Sequence, residues 1–365
     1  MTSPGLATRI IRWQRQHGRH DLPWQGTRDP YRVWLSEIML QQTQVATVID
    51  YYLRFVQRFP SVHTLAAAPL DEVLALWSGL GYYSRARNLH RCAQAVVQVH
   101  GGAFPARSAA LAELPGIGRS TAAAIAAFCF GERAAILDGN VKRVLTRALG
   151  FEEDLAGTSA QQRLWAQAEA LLPRRDVDVY TQGLMDLGAT LCNQRRPACA
   201  ICPLRPLCVA HAQGQPERYP VKTRQLKRSR RANALLWLTH GAQVWLVQRP
   251  SVGVWAGLWS LPEYPDPAAL QALTAAWPGH GCWLPGFQHT LTHLDWHLQV
   301  LQWQWPARRR CEQAPGDGAW FPVPEALALG LPAPVRRLLT TGAARQGGSV
   351  SRRPPSCRAG SRRPG

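Results

Sequence analysis

Apolar residues recur at three- and four-residue spacing through roughly the first two hundred positions, punctuated by Gly and Pro. That rhythm predicts helices over Leu6 to Gln16, Tyr31 to Gln42, Ala46 to Arg58, Asp71 to Trp77, Ala86 to His100, Thr121 to Phe130, Val141 to Leu149 and Gln161 to Leu171. No strand pattern stands out there. Leu184 to Leu191 reads as a further helix that enters a cysteine-rich loop. From Ala232 the texture changes: Ala234-Leu-Leu-Trp-Leu-Thr, the pair His240-Gly241 and Gln243-Val-Trp-Leu-Val-Gln-Arg form a hairpin signature. Ten of the fifteen tryptophans lie between Trp237 and Trp320, as suits strands that bury large flat side chains. The pattern divides the chain into an all-α part over 1–211, a basic linker over 212–231, a mixed α/β part over 232–342 and a basic tail over 343–365 that is expected to be disordered.

Composition supports this division. A chain of 365 residues with 46% apolar content has room for two or three domains with real cores. Its formal charge is +19, and 12 of those charges sit in two short segments, Glu217 to Arg231 and Ala343 to Gly365. The remaining +7 still suits a polyanionic partner. No apolar run reaches membrane-spanning length and no signal-peptide core opens the chain, so a soluble, cytoplasmic protein without a membrane partner is expected, nucleoid-associated if bacterial. Nine cysteines in a long chain argue against a disulfide framework and for a metal site.

Four of those cysteines, Cys192, Cys199, Cys202 and Cys208, read C-x6-C-x2-C-x5-C within 17 residues. Thiolates at these spacings fit one tetrahedral metal or one iron–sulfur cubane. Zinc sites more often pair two short hooks, so the single C-x2-C with longer arms favours the cluster. Arg195, Arg196 and Arg205 between the ligands are expected to face outward, toward phosphate. Cys92, Cys129, Cys282, Cys311 and Cys357 read as core or tail residues.

Two carboxylates stand in contrasting settings. Asp29-Pro30 is a cap followed by a first-turn proline, and the helix behind it surrounds Glu37 with Val33, Trp34, Ile38 and Met39. Burial disfavours a charge, so Glu37 is expected to remain protonated near neutral pH as a general acid; the alternative is a side chain that reaches water or pairs with Arg32 or a neighbouring helix. Further on, Leu114-Pro-Gly116-Ile-Gly118-Arg-Ser120-Thr frees backbone amides at a helix start, a seat for phosphate built around Gly116 and Gly118. Asp138 stands at the mouth of the next helix, where the dipole is expected to favour its ionised form. A proton donor paired with an anion that steadies an oxocarbenium-like sugar is the arrangement used to cleave glycosidic bonds.

Leu35-Ser-Glu-Ile-Met-Leu-Gln-Gln-Thr-Gln-Val, Trp77-Ser-Gly-Leu-Gly-Tyr-Tyr-Ser-Arg-Ala-Arg-Asn-Leu, Leu114-Pro-Gly-Ile-Gly-Arg-Ser-Thr-Ala and Ile136-Leu-Asp-Gly-Asn-Val-Lys-Arg-Val-Leu resemble the MutY-type adenine DNA glycosylases of the helix-hairpin-helix superfamily. The resemblance covers about residues 1 to 210. It implies a monomer bound to duplex DNA that excises adenine mispaired with 8-oxoguanine or guanine, and a [4Fe-4S] cluster on the four cysteines. It makes Glu37 the acid that protonates adenine, Asp138 the carboxylate that stabilises or captures the sugar cation, and Asn140 a support on the sugar side. Gln41, Gln42 and Tyr82 would fill and wedge the duplex as the base is extruded, and Thr43 would lie toward the opposing base. Ser120 occupies a turn where strand-cutting relatives carry a lysine, and a hydroxyl cannot form a Schiff base, so a monofunctional enzyme is expected. Lys142 is expected to touch DNA and to form only adventitious adducts.

The α/β part resembles the Nudix-like C-terminal domain of the same family through Trp255-Ala-Gly-Leu-Trp-Ser-Leu-Pro. Glu263 and Asp266 lack the clustered magnesium-binding acids of active Nudix hydrolases, so pyrophosphatase chemistry is not expected. Phe287-Gln-His-Thr-Leu-Thr292-His293 resembles the family's lesion-reading segment, with Leu291 where an aromatic is common. Losing that ring weakens packing beside the lesion by about 1 kcal/mol. Alternatives are an endonuclease III-like or thymine-mismatch glycosylase, or a noncatalytic iron–sulfur DNA-binding protein.

Overall fold

The computed structural model describes residues 5–223, 227–308, 311 and 314–347. Twelve helices among the described residues precede the first strand: α1 (Leu6–His17), α2 (Pro30–Leu40), α3 (Val45–Arg58), α4 (Val62–Ala67), α5 (Leu70–Trp77), α6 (Tyr83–His100), α7 (Ser108–Leu111), α8 (Arg119–Phe130), α9 (Gly139–Leu149), α10 (Thr158–Ala170), α11 (Val177–Thr190) and α12 (Val209–Ala212). Three of them escape the apolar rhythm because they are so short, α12 being four residues long, directly behind the last cysteine of the loop. The first, α4, exists through a capping box in which Ser61 and Thr64 satisfy each other's amides. The second, α7, is a single turn tied by Glu132, which accepts from the Ser108 amide and hydroxyl.

Contacts group the chain into two units, residues 1–68 with 84–225, and 69–83 with 226–365. In the first unit α8 is lined with alanines, and Ala123, Ala124 and Ala127 pack into one core with Leu145, Leu164 and Leu184. Small side chains there let neighbouring helices close in. The buried face of α11 runs Val177, Tyr180, Thr181, Leu184 and Leu187, a helical spacing whose polar member hides the first two turns from an apolar count. The connector expected at 212–231 is not wholly a tether. Val221 accepts from the Leu155 amide, Asp154 binds Thr223, and a strand already begins at Ser229, so local hydrogen bonds hold what composition alone reads as linker.

The second unit is a mixed sheet of β1 (Ser229–His240), β2 (Gln243–Gln248), β3 (Trp259–Ser260), β4 (Glu263–Tyr264), β5 (His280–Trp283), β6 (Phe287–Thr290), β7 (Leu294–Trp305) and β8 (Gly318–Pro322). Its spine is the order β3-β2-β1-β7-β5. The expected hairpin is β1–β2, with His240 opposite Gln243. Strand β7 runs parallel to β1 along twelve registered pairs, from Ser229 beside Leu294 to His240 beside Trp305. Helices α13 (Pro267–Thr274), α14 (Val323–Ala328) and α15 (Ala333–Gly347) complete it. The tryptophans explain themselves here: Trp277 meets Trp303 and Trp305, and Trp255 stacks on Trp296 at 4.6 Å. Residues 69–83, which the apolar rhythm assigns to the helical part, join this unit because Gln248 donates to Asp71, and both Ser78 and Tyr83 donate to the Leu331 carbonyl. The tail expected from 343 starts as the end of α15, and 348–365 lie outside the described residues.

Gly183 is where α11 meets α1, since a β-carbon there would stand 2.6 Å from Ile10 Cγ2 and 3.1 Å from Gln14 Cβ. Alanine's better helix propensity, worth about 1 kcal/mol, is outweighed by overpacking of about 1–3 kcal/mol. Gly183→Ala should therefore lower the urea midpoint with little change of slope, and an unchanged midpoint would show that the two helices can separate freely.

Candidate active site

Helix α2 starts as its sequence dictates, with Asp29 accepting from the Tyr31 amide at 2.9 Å and Pro30 in the first turn. Glu37 follows two turns later between buried Ser36 and Ile38. Its side chain is half-buried. Burial, and secondarily the charge of Asp138, push its pKa up to about 8. The two carboxyl groups are therefore close enough to feel each other, as a glycosidic mechanism requires. Past α2 the chain turns through Gln42 in the left-handed region, φ 58°, and Gln41 Nε2 donates to Thr121 Oγ1 at 3.3 Å.

Thr121 belongs to the first turn of α8, behind the Gly116–Gly118 bend. Gly116 adopts φ 78°, and a β-carbon there would sit 2.6 Å from Asn88 Cβ, so conformation and space both demand glycine. Gly118 is different. It caps α8 with an ordinary φ of −85°, no side chain bonds the first-turn amides, and a β-carbon would meet nothing within 4 Å. Its glycine leaves open room outside the helix start, as a phosphate seat needs. Ser120 Oγ accepts from the Leu137 amide at 3.0 Å, which fixes the backbone immediately before Asp138.

Asp138 caps α9 and accepts from the Val141 amide at 2.7 Å, with the Asn140 amide also lowering its pKa. The expectation that the helix start would hold its pKa down needs correction. Burial outweighs the two amides, Arg143 and Lys142, and the net shift is upward. Lys142 is half-buried, and burial together with Lys222 lowers its pKa. Asn140 Oδ1 accepts from Arg143, whose guanidinium also donates to the carbonyls of Gly188 and Cys192, both at 2.6 Å. Gly188 is a second close approach, with a β-carbon there 2.6 Å from Asn140 Cβ.

The cysteine loop hangs from α9. Arg147, 2% exposed, donates to Cys192 Sγ at 3.4 Å and to the carbonyls of Asn193, Gln194 and Tyr219. All four cysteines lie on one loop outside any disulfide. Among the described residues no three His, Cys, Asp or Glu side chains group as for a single metal ion. Arg195, Arg196 and Arg205 are exposed, as expected.

Residues 35–169 match the family model of the HhH-GPD superfamily base excision DNA repair proteins, and residues 233–341 match that of the NUDIX domain. The adenine DNA glycosylase of Buchnera aphidicola from Acyrthosiphon pisum is 33% identical over 93% of this chain and 98% of its own length. The chain belongs to the adenine DNA glycosylases. The human adenine DNA glycosylase is 36% identical over 80% of this chain and 65% of its own. A solved thermostable thymine-DNA glycosylase, 30% identical, overlays 57% of this chain and 95% of its own with a TM-score of 0.51. The protein is thus a base excision repair glycosylase with a helical unit of the HhH-GPD superfamily and a C-terminal Nudix-like sheet. Among the described residues no helix is long and apolar enough to cross a membrane.

The helical unit of this glycosylase brings Glu37, Gln41, Ser120, Asp138, Asn140 and Lys142 into one connected region. Gln42 is exposed and Thr43 half-buried at the end of α2. Tyr82 belongs to the other unit. It is no core tyrosine: 46% exposed with φ 50°, its hydroxyl lies 3.1 Å from Thr292 Oγ1. Thr292 and His293 are both exposed in the β6–β7 turn. What sequence reasoning missed was a set of arginines, Arg85 and Arg147 buried and Arg143 half-buried. Their signal was a cation on an otherwise apolar helical face.

The shift at Glu37 has a stability consequence. Below about pH 4.5 the group is protonated in both folded and unfolded chains. Above that the unfolded chain ionises first, so stability is lost progressively until pH passes about 8. Glu37→Gln removes the loss, so it should raise Tm at pH 8 and leave it nearly unchanged at pH 4; equal shifts at both values would contradict the burial of the acid.

Proposed function

We propose that this glycosylase removes adenine opposite 8-oxoguanine or guanine and leaves the strand intact. The observation that carries the reading is the pairing of Glu37 and Asp138: neighbouring carboxyls whose surroundings assign one proton to one of them. Asp138 has two amides, Arg143 and Lys142 to stabilise its charge, whereas Glu37 has burial and Asp138's own field against it, so the proton resides on Glu37. With adenine extruded, Glu37 gives that proton to a ring nitrogen of the base. The glycosidic bond then breaks, its electron pair leaves with the neutral base, and a positive charge develops on the sugar. The Asp138 carboxylate offsets that charge, water adds to the sugar carbon, and the water's proton returns to the Glu37 carboxylate.

Gly116 and Gly118 offer amides to a phosphate, Gln41 and Gln42 fill the gap left by the base, and Thr43 faces the opposing base. Asn140, held by Arg143, keeps the start of α9 in place beside the sugar. Ser120 supplies no amine and instead anchors Leu137, which supports base release without strand cleavage. Lys142, half-buried at the start of α9, forms a side adduct only.

The four cysteines fit a [4Fe-4S] cluster: four sulfur donors on one loop, with Arg147 already donating to one of them. When bound, the cluster supplies iron–thiolate bonds that close the loop, and base release uses only the protein's own side chains. In the second unit Thr292 and His293 read 8-oxoguanine, supported by their exposure and by the hydroxyl bond from Tyr82, the residue assigned to wedge the duplex.

Single-turnover release of adenine should fall about tenfold per unit above about pH 8, as the acid form of Glu37 is depleted, and should fall again in acid, where Asp138 takes up a proton and can no longer offset the sugar's charge. Glu37→Gln should lose at least a thousandfold in rate while binding the mispair, and strand breaks surviving neutral work-up without heat or alkali would refute monofunctional cleavage. Replacing Thr292 and His293 by Ala should narrow the preference for 8-oxoguanine over guanine opposite adenine about tenfold. An unchanged preference would remove them from lesion reading.

A further inference from the structure

Helix α2 ends without glycine. Its last carbonyls need partners, as those of every helix do, and here the chain passes into the left-handed region at Gln42, a conformation strained for any residue but glycine. Arg85 supplies the closure. It is 8% exposed on α6, and its Nη1 donates to the carbonyls of Ile38 at 2.8 Å and Met39 at 2.9 Å. Its Nη2 donates to Thr43 Oγ1 at 3.1 Å. A buried cation at a helix C-terminus is favoured by the dipole as well as by the hydrogen bonds, and a planar guanidinium can span carbonyls and hydroxyl together.

The chemistry of the Thr43 hydroxyl then becomes directional. One of its lone pairs is occupied by Arg85, and its own proton makes only a long bond, 3.4 Å, to the Gln41 carbonyl. That proton is the part left to offer. We propose that Arg85 is a positioning residue for the opposing base: it holds the strained Gln41–Thr43 bend open and presents Thr43 as a hydrogen-bond donor to an acceptor on the base left behind by the extruded adenine. The inference rests on the assignment of Thr43 to the opposing base and adds the device that aims it.

The test uses full-length Arg85→Met, Arg85→Lys, Thr43→Val and the Arg85→Met/Thr43→Val double variant. Equilibrium binding is measured to duplexes carrying uncleavable 2′-fluoro-adenosine opposite 8-oxoguanine and opposite thymine, and hydrogen exchange is followed without DNA. Arg85→Met should cut the preference for the 8-oxoguanine duplex at least tenfold while changing affinity for the thymine duplex less than threefold. Thr43→Val should cut the preference severalfold, and the double variant should be no worse than Arg85→Met. Arg85→Lys should recover only part of the loss, because an ammonium cannot reach all three acceptors. Amides 41–45 should exchange faster in Arg85→Met than in the wild type, with α8 and α9 unchanged.

Multiplying effects in the double variant, equal losses on both duplexes, or unaltered exchange at 41–45 would each overturn the proposal. If Arg85→Met fails to fold, the cycle is run with Arg85→Lys, whose smaller loss must again vanish in the Thr43→Val background. A wild type that releases adenine from neither mispair would sink the proposed function instead, and the exchange measurement would still decide whether Arg85 holds the bend.

Discussion

A protonated carboxylic acid near neutral pH is expensive to keep in a protein, and this site keeps one by setting Glu37 among apolar side chains within reach of a second carboxyl. Neither condition suffices. Burial alone would raise both acids, and mutual repulsion alone would leave open which of them holds the proton. The asymmetry comes from the backbone: Asp138 stands at the start of α9, where the amides of Asn140 and Val141 face it, while Glu37 lies mid-helix, where every amide is already committed. In the proposed mechanism secondary structure itself thus distributes the proton, and the amides of one helix start separate two otherwise similar groups.

Helix α9 carries this arrangement further. Asp138 caps it, Asn140 lies in its first turn, Arg143 in its second and Arg147 one turn further on, so the elements that set the carboxylate also hold the cysteine loop through the Cys192 carbonyl and sulfur. The close approach of Gly188 to Asn140 makes α11 the wall against which this helix is pressed. Because interiors are packed at crystal-like density, such a joint has no slack. Movement of the loop and movement of the carboxylate are constrained by the same few side chains.

Much of this was legible in the sequence, and the limits are physical. Helix starts marked by Asp29-Pro30 and Asp138 were readable because capping is local chemistry, and the hairpin at His240-Gly241 was readable because a two-residue turn is. The parallel pairing of β1 with β7 was not, since those strands are separated by more than fifty residues and nothing local encodes their register. The upward shift of Asp138 was missed for a related reason: the amides that lower it lie in its own turn, whereas the burial that raises it comes from distant segments. Residues 69–83 escaped likewise, because α5 is an ordinary amphipathic helix whose partners, Gln248 and Leu331, lie far along the chain.

The second unit matches the NUDIX domain, and its acids are placed differently from a magnesium cassette. Its two acids nearest the expected magnesium cassette are already engaged. Glu263 accepts from Arg231 and Arg249, with its side chain 12% exposed, and Asp266 caps α13 through the Ala269 amide. Arg231 and Arg249 also lie over Trp296, 4.9 and 5.9 Å from its ring, and Asn233 accepts from the Trp296 indole. An acid spent on two guanidiniums cannot also bind a divalent cation without leaving those cations unpaired in a half-buried site, a cost of several kcal/mol. The same network stiffens the sheet behind β6 and β7, where Trp255 packs between Trp296 and His289. A rigid platform under the short turn that carries Thr292 and His293 suits recognition, which depends on groups held ready before the ligand arrives.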